Sequence, residues 1–203
     1  MERLCVSEFY SQELDLSDLV RLREAELPWK VAACSLRRLG ALEELTVTRW
    51  RGTTRSALGV KPALRRLRLE AVPTVVISAE GAGLFPELSE LRLYDGRLTR
   101  SGLLAGAQQL RSIALLSTKT DSVAFAAALP HLEHLELENS GDIGTLAPLA
   151  DHPALRKVLV TGSTRITDGD LNPPADNPRL TVIAVERGHK HYSHRPAEVR
   201  RGI

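Results

Sequence analysis

The sequence predicts an elongated α/β solenoid in which short strands stack side by side into one parallel sheet. Three observations lead to this prediction: one phrase recurs seven times, its apolar residues alternate with polar ones, and a proline precedes most copies. The 203 residues are enough to bury a core without disulfides or a metal. With three Phe, two Trp and three Tyr, aliphatic side chains, leucine above all, have to fill that core.

The repeated phrase sets the period of the chain. Its copies are ALEELTV, ALRRLRL, ELSELRL, QLRSIAL, HLEHLEL, ALRKVLV and RLTVIAV. The first leucines of the copies are Leu42, Leu64, Leu88, Leu110, Leu132, Leu155 and Leu180. The intervals between them are 22, 24, 22, 22, 23 and 25 residues, and a nearly fixed period of this length indicates a repeat architecture.

Each copy predicts one short strand. Counted from the first leucine, the fourth and sixth positions, such as Leu135 and Leu137, alternate with polar residues, as in a strand with one buried face. A βαβ unit needs about 30 or more residues, and parallel strands covered on both faces are continuous apolar runs. Neither applies here, so we expect coils of one strand and a short helical or irregular return. Stacked coils bury their leucines and leave the outer sheet face in water.

Proline marks where each strand is about to begin. It lies two residues before the first leucine in five of the seven copies, at Pro62, Pro86, Pro130, Pro153 and Pro178. Because proline cannot donate to a ladder or a helix interior, it ends the preceding segment.

The phrase resembles the leucine-rich repeat family, whose consensus is LxxLxLxxN. All seven copies match its three apolar positions, with Ile113, Val158 and Ile183 as aliphatic substitutes. The resemblance covers about residues 41–188 and is similar to the bacterial short-repeat type. It implies a solenoid of about seven to eight repeats with the parallel sheet on the concave face.

The asparagine of that consensus is missing from this chain. Its positions are occupied by Trp50, Val72, Gly96, Thr118, Ser140, Ser163 and Gly188. In the family the asparagine amide satisfies backbone groups at a corner. We expect Thr118, Ser140 and Ser163 to replace it with side-chain to backbone hydrogen bonds, and the other corners to be irregular.

The flanking segments fit the register weakly. Residues 1–40 are predicted to be an N-terminal cap or degenerate repeat, with LVRLREAEL at Leu19 as a possible unit and Leu4 with Val6 as an earlier strand. A solenoid needs its open ends covered. Residues 189–203 are polar, basic and without periodicity, which predicts a C-terminal polar tail or a partly ordered cover.

The third, fifth and seventh positions of the repeats point away from the core and form the candidate binding surface. We expect a strip of ten residues to bind a protein partner: Arg66, Arg68, Glu90, Arg92, Tyr94, Leu116, His134, Glu136, Glu138 and Lys157. Arginine and tyrosine are the usual energetic anchors of interfaces. The alternative is a solvated sheet face whose charges pair across strands. Charge reversal at Arg66, Arg68 and Arg92 should weaken binding, whereas reversal at Arg97 and Arg100 on the return should not.

Charge and targeting signals narrow the class of partner. Lys and Arg number 27 against 25 Asp and Glu, a balance that argues against nucleic acid or an anionic membrane. The start lacks the apolar core of a signal peptide, and no stretch has the ~20 apolar residues of a membrane span. We therefore expect a cytoplasmic monomer with Cys5 and Cys34 as reduced thiols.

Catalytic motifs are missing from the sequence. It contains no GxSxG, HExxH, phosphate loop or paired-cysteine cluster, so we expect no cofactor and no metal. The leading hypothesis is a noncatalytic protein-interaction module, whether immunity protein, adaptor or scaffold. Two alternatives stay open: an enzyme or metal-dependent protein using His134, Glu136 and Glu138 or the histidines of HKHYSH, and nucleic-acid binding through the arginines, for which aromatic stacking residues are scarce.

Overall fold

The chain folds into stacked coils that share one main parallel sheet. The structure, a computed structural model, describes residues 2–7, 9–10, 12–51, 58–71, 76–78, 84–99, 104 and 107–202. The strands are β1 (Arg3–Cys5), β2 (Glu24–Pro28), β3 (Glu44–Trp50), β4 (Arg66–Ala71), β5 (Val76–Ser78), β6 (Glu90–Tyr94), β7 (Arg97–Thr99), β8 (Ser112–Leu116), β9 (His134–Glu138), β10 (Asp142–Ile143), β11 (Lys157–Thr161), β12 (Arg165–Ile166) and β13 (Val182–Val185). The main sheet has the order β1-β2-β3-β4-β6-β8-β9-β11-β13, which confirms the predicted architecture.

The returns between these strands hold only short elements. Two further small parallel sheets, β5–β7 and β10–β12, connect neighbouring returns. In the described part of the chain the helices are Trp29–Ala32, Asn172–Asp176 and Pro196–Val199, with 3-10 turns at Leu36–Arg38, Ala124–Ala128 and Ala147–Leu149. None of the helices in that part is long and apolar enough to cross a membrane.

The core lies between the main sheet and the returns, in the register that the sequence predicts. The fourth-position residues are neighbours on successive strands: Leu45, Leu67, Leu91, Ile113, Leu135, Val158 and Ile183. These side chains and the first leucines of all seven copies are buried. The two-residue alternation thus separates one core face from one outer face along the sheet.

A buried or partly buried side chain closes the corner before each strand, three residues ahead of the first leucine. Its occupants are Leu39, Lys61, Phe85, Ala107, Leu129, His152 and Asn177. The polar occupants donate to a carbonyl of the preceding coil: Lys61 Nζ to Arg37 at 3.3 Å, His152 Nε2 to Leu129 at 3.0 Å and Asn177 Nδ2 to Leu149 at 3.1 Å. His152 Nδ1 accepts the Leu155 N–H at 3.1 Å, and this contact fits the tautomer with the ring proton on Nε2.

Buried hydroxyls close the opposite corner, after β8, β9 and β11. Thr118 donates to the Leu93 carbonyl at 3.0 Å and Ser140 to that of Leu115 at 3.1 Å, as expected. The expectation for Ser163 is wrong: Ser163 is exposed, and Thr164 donates to the Leu137 carbonyl at 3.1 Å. Gly162, with φ of 64°, adds one residue before this corner and shifts the hydroxyl by one position. Val72, another of the predicted corner positions, lies outside the described residues.

At the N-terminal end, β1 and β2 extend the main sheet. The core residues of this coil are Leu22, Ala25 and Leu27, so its register starts at Leu22 rather than Leu19. β3 and β4 change register between Val47 and Trp50, where Arg49 has a φ of 54°. The bulge turns the Trp50 indole inward, where its ring centroid lies 4.8 Å from that of Trp29.

At the C-terminal end, residues 189–202 pack on the last coil. Arg201 exchanges two backbone hydrogen bonds of 3.1 Å with Ile183, which covers the outer edge of β13. Tyr192 Oη accepts the Ile166 N–H at 2.9 Å, and Val199 is buried. For residues 189–203 the sequence predicted either a polar tail or a partly ordered cover. The described residues of this segment form an ordered cover.

The outer sheet face as the candidate binding surface

The ten residues of the predicted strip all lie on the outer face of the main sheet, on β4, β6, β8, β9 and β11. Strand register places them in three rows that run across the strands. The third-position row is Glu44, Arg66, Glu90, Ser112, His134, Lys157 and Val182; the fifth-position row is Thr46, Arg68, Arg92, Ala114, Glu136, Leu159 and Ala184. The seventh-position row runs through Glu70, Tyr94, Leu116, Glu138 and Thr161.

The first part of this face, here called the arginine half, comprises Glu44, Arg66, Arg68, Glu70, Glu90, Arg92 and Tyr94. Each arginine forms an ion pair inside the half: Arg66 with Glu44, Arg68 with Glu70 at 2.6 Å, and Arg92 with Glu90 at 2.5 Å. The hydrogen bond from Arg92 to Glu90 raises the pKa of that guanidinium above its ordinary value. The predicted basic cluster is therefore a set of compensated pairs.

Tyr94 joins the arginine half through a cation–π contact. The Arg68 guanidinium carbon lies 4.2 Å from the centre of the Tyr94 ring, within the range in which the ring quadrupole attracts a cation. A shallow depression of about 190 Å³ opens beside this contact. Its polar lining is Glu44, Thr46, Arg66, Arg68, Glu90 and Arg92. The depression is thus walled by charges that already have partners.

The second part of the face, here called the carboxylate half, comprises Ala114, Leu116, Glu136, Glu138, Lys157 and Leu159. Register places Glu136 between Ala114 and Leu159, and Glu138 between Leu116 and Thr161. Within the part of the chain that the structure describes, neither glutamate forms an ion pair, and Glu138 has only a long hydrogen bond of 3.5 Å from the Asn139 amide. Both carboxylates are partly exposed and stand between uncharged neighbours.

The far end of the face is bounded by the C-terminal cover. A cavity of about 470 Å³ lies between β13 and the helix Pro196–Val199. Ala184 and Thr161 belong to its sheet side, and Pro196, Ala197 and Arg200 to its helix side. Glu186, also in its lining, accepts the Gly162 N–H at 2.6 Å. The cover therefore ends the exposed face at β13.

The HKHYSH histidines and the two cysteines, whose chemistry allows metal binding or nucleophilic attack, lie near the two ends of the solenoid. Among the described residues no group of three or more His, Cys, Asp or Glu could hold a metal ion. The HKHYSH histidines have structural contacts: His191 Nε2 lies 3.0 Å from the Ile166 carbonyl, and His194 Nδ1 lies 3.1 Å from Ser193 Oγ. Cys5 and Cys34 are free thiols, and a hydrogen bond with Glu13 raises the pKa of Cys34, which disfavours its thiolate.

Sequence reasoning placed the third- and fifth-position rows correctly, but Thr48, at the seventh position of the first copy, is buried. The predicted strip also did not include the glutamate partners Glu44 and Glu70. The third-position row already contained a signal, because Glu44, Arg66 and Glu90 alternate in sign on adjacent strands. Opposite charges directly opposite each other on a sheet face tend to pair. Leu159 was also left out, although it is the apolar neighbour of Glu136.

Comparisons with known proteins identify the fold. No family model matches the chain, and no curated protein sequence does. Among solved structures, an internalin (inlF) from Listeria monocytogenes is similar with a TM-score of 0.68 and 21% identity, over 85% of this chain and 50% of the internalin. Internalin C2 (inlC2) from the same species is similar with a TM-score of 0.50 and 20% identity, over 74% of each chain. The chain thus spans half the length of the first internalin. Since internalins are leucine-rich repeat proteins, this chain has the leucine-rich repeat fold.

Proposed function

We propose that the protein is a noncatalytic protein-interaction module that binds a protein partner through the outer face of its main sheet. The observation that carries this proposal is the continuity of that face. From β3 to β11 its rows hold an aromatic ring, three arginines and partly exposed leucines, with core on the other side of the same strands. Interfaces are enriched in arginine and aromatic residues.

The dimensions of the face suit a protein partner. The six strands β3, β4, β6, β8, β9 and β11 are consecutive in the sheet, and strands lie about 4.8 Å apart. The face therefore extends over roughly 25 Å across the strands, comparable to a standard protein interface. Its depression is shallow and lined by paired charges, whereas enzymes usually bind small substrates in enclosed, largely apolar pockets.

The proposal includes a cytoplasmic, monomeric protein. Cys5 and Cys34 are exposed thiols, which suit a reducing compartment. Cell fractionation and light scattering of the purified chain test these two points. A disulfide-linked or dimeric species in cell extracts would contradict them.

Removing apolar anchors from the face tests the proposal without breaking an ion pair. The face variant combines Tyr94→Ser with Leu116→Ser, one anchor from each half. Its matched control is Arg97→Ser with Lys119→Ser, two exposed residues on the returns; Arg100, the other return arginine considered from the sequence, lies outside the described residues. Circular dichroism and thermal melting show whether each variant is folded.

Quantitative mass spectrometry after affinity capture from native lysate provides the readout. Wild type and the return variant should enrich the same protein, and the face variant should lose it by at least about tenfold, as expected for hot-spot residues. Equal enrichment by the face variant, or enrichment of no protein by wild type, overturns the proposal.

A further inference from the structure

The two halves of the outer face differ in whether their charges already have partners. Arg66, Arg68 and Arg92 are each held by a glutamate of the same face. Glu136 and Glu138, two residues apart on β9, have no such cation among the described residues, and their Cα atoms are separated by about 7 Å along the strand. Only the carboxylate half therefore offers uncompensated charge to a ligand.

The neighbours of these carboxylates across the strands are uncharged and mostly aliphatic, with Thr161 beside Glu138 as the polar one. Ala114 and Leu159 flank Glu136, and Leu116 flanks Glu138. Lys157 is in register with His134 in the third-position row and forms no ion pair with Glu136. A carboxylate between aliphatic side chains is hydrated while the face is open, and it loses that water once a partner covers the leucines.

The free-energy cost of removing water from Glu136 and Glu138 determines which kind of partner can bind. Covering Leu116 and Leu159 is favourable because it buries apolar area, but it strips water from Glu136 and Glu138, which is costly unless the partner supplies a cation. A phosphate-bearing surface would add repulsion to that cost. The chemistry that satisfies both demands is an apolar side chain with lysine or arginine close to it.

We propose that the carboxylate half binds a protein segment in which an aliphatic or aromatic side chain is flanked by lysine or arginine residues. This inference rests on the proposed function and assigns the main contact to Glu136, Glu138, Leu116 and Leu159. The arginine half contributes less, because each arginine has to leave its glutamate before it can pair with a partner. It acts as the polar margin of the interface.

Charge-neutralising variants locate the contact. Glu136→Gln with Glu138→Gln removes both carboxylates and keeps their shape. Glu87→Gln with Asp151→Asn removes the same number of negative charges from exposed positions outside the outer rows, and Arg66→Gln with Arg92→Gln removes two cations from the arginine half. In the capture experiment above, we expect at least a tenfold loss for the first variant, no loss for the second and a smaller loss for the third.

Synthetic peptides test the chemistry of the partner. Fluorescein-labelled peptide sets with leucine or phenylalanine flanked by lysine and arginine, by aspartate and glutamate, or by serine and glutamine are titrated with the full chain. We expect the basic set to bind at least tenfold more tightly than the other two, and this preference to disappear in the Glu136→Gln, Glu138→Gln variant.

The outcomes separate this inference from the proposed function. If the Tyr94→Ser, Leu116→Ser variant loses the partner while Glu136→Gln, Glu138→Gln retains it, the function stands and the inference is overturned. A preference for the acidic peptides, or a larger loss in the arginine variant, overturns it as well. If wild type captures no protein and binds no peptide set, both fail.

Discussion

The arginine half and the carboxylate half of the outer face are built on the same strands and the same core, yet they differ in how their charges are compensated. On β4 and β6 arginine and glutamate occupy neighbouring outer positions of the same strand, so Arg68 pairs with Glu70 and Arg92 with Glu90, while Arg66 pairs across the strands with Glu44. On β9 two glutamates of the same sign stand between uncharged neighbours. A charge on a sheet face is thus available to a partner when its neighbours along the strand and across the strands leave it uncompensated.

The corners beneath the two halves differ as well. Beneath the arginine half the buried polar corner residue is Lys61, whereas beneath β11 and β13 the corner residues are His152 and Asn177. Hydroxyl corners follow β8, β9 and β11, while the buried Trp50, the last residue of β3, takes the corresponding place in the first copy. The polar corners beneath β11 and β13 thus hold an imidazole and an amide, whereas the arginine half rests on a corner with a buried ammonium.

The largest expected effect tests that corner. Burial lowers the pKa of Lys61 from 10.5 to about 8, with a smaller contribution from Arg37. Between these values the unfolded chain binds more protons than the folded one, so the free energy of unfolding rises as the pH increases from 8 toward 10.5. One pKa unit corresponds to about 1.4 kcal/mol. At neutral pH the buried ammonium therefore lowers the free energy of unfolding by about 3 kcal/mol.

Lys61→Met removes the charge and keeps the length of the side chain. We expect urea unfolding at pH 7 to show a gain of up to about 3 kcal/mol, and the rise in stability above pH 8 to disappear. Lys30→Met, at an exposed lysine, is the matched control and should keep the wild-type pH profile. A Lys61→Met protein with lower stability and an unchanged pH profile would show that the ammonium is compensated in the fold.

The next effect tests the hydroxyl corners of the carboxylate half. Thr164 Oγ1 accepts the Ser140 N–H at 3.0 Å and donates to the Leu137 carbonyl at 3.1 Å. Thr164→Val has nearly the same shape but leaves a buried N–H and a buried carbonyl without these partners, which costs about 1–3 kcal/mol. Ser163→Ala, one residue earlier and exposed, should change stability by less than about 0.5 kcal/mol. Chemical denaturation of both variants measures the difference in the free energy of unfolding. Equal stabilities would show that the hydroxyl of Thr164 does not stabilise the fold.

A smaller effect measures compensation in the arginine half directly. Arg66→Gln, Glu44→Gln and the double variant form a cycle whose coupling energy we expect at about 0.2–1 kcal/mol, because both side chains are partly exposed. The coupling energy should decrease in about 0.5 M NaCl, because the Debye length at that ionic strength is only a few ångströms. Zero coupling at low salt would mean that Arg66 is free for a partner, and the two halves would then no longer differ in the proposed way.

The sequence predicted most of the rows of this face because two periods determine them. The two-residue alternation separates Leu135 from Glu136, and the repeat length sets Glu136 beside Ala114 and Leu159. The same periods could not locate the Thr164 corner, because the extra residue at Gly162 shows only in a backbone φ of 64°. The start of the first coil at Leu22 was missed because Ala25 replaces an expected leucine. Tyr192 binds backbone of Ile166, a contact that leaves no periodic signal.

The smallest expected effect completes the comparison. Glu136→Gln should change the free energy of unfolding by less than about 0.5 kcal/mol, because no ion pair to a described residue is lost. A slight gain is the expected sign, since Glu138 lies two residues away on the same face and carries the same charge. Denaturant titration of Glu136→Gln, under the conditions used for the Arg66 and Glu44 variants, measures this change in the free energy of unfolding. A loss above about 1 kcal/mol would mean that Glu136 stabilises the fold, and a carboxylate already used in this way would not be available to a basic partner.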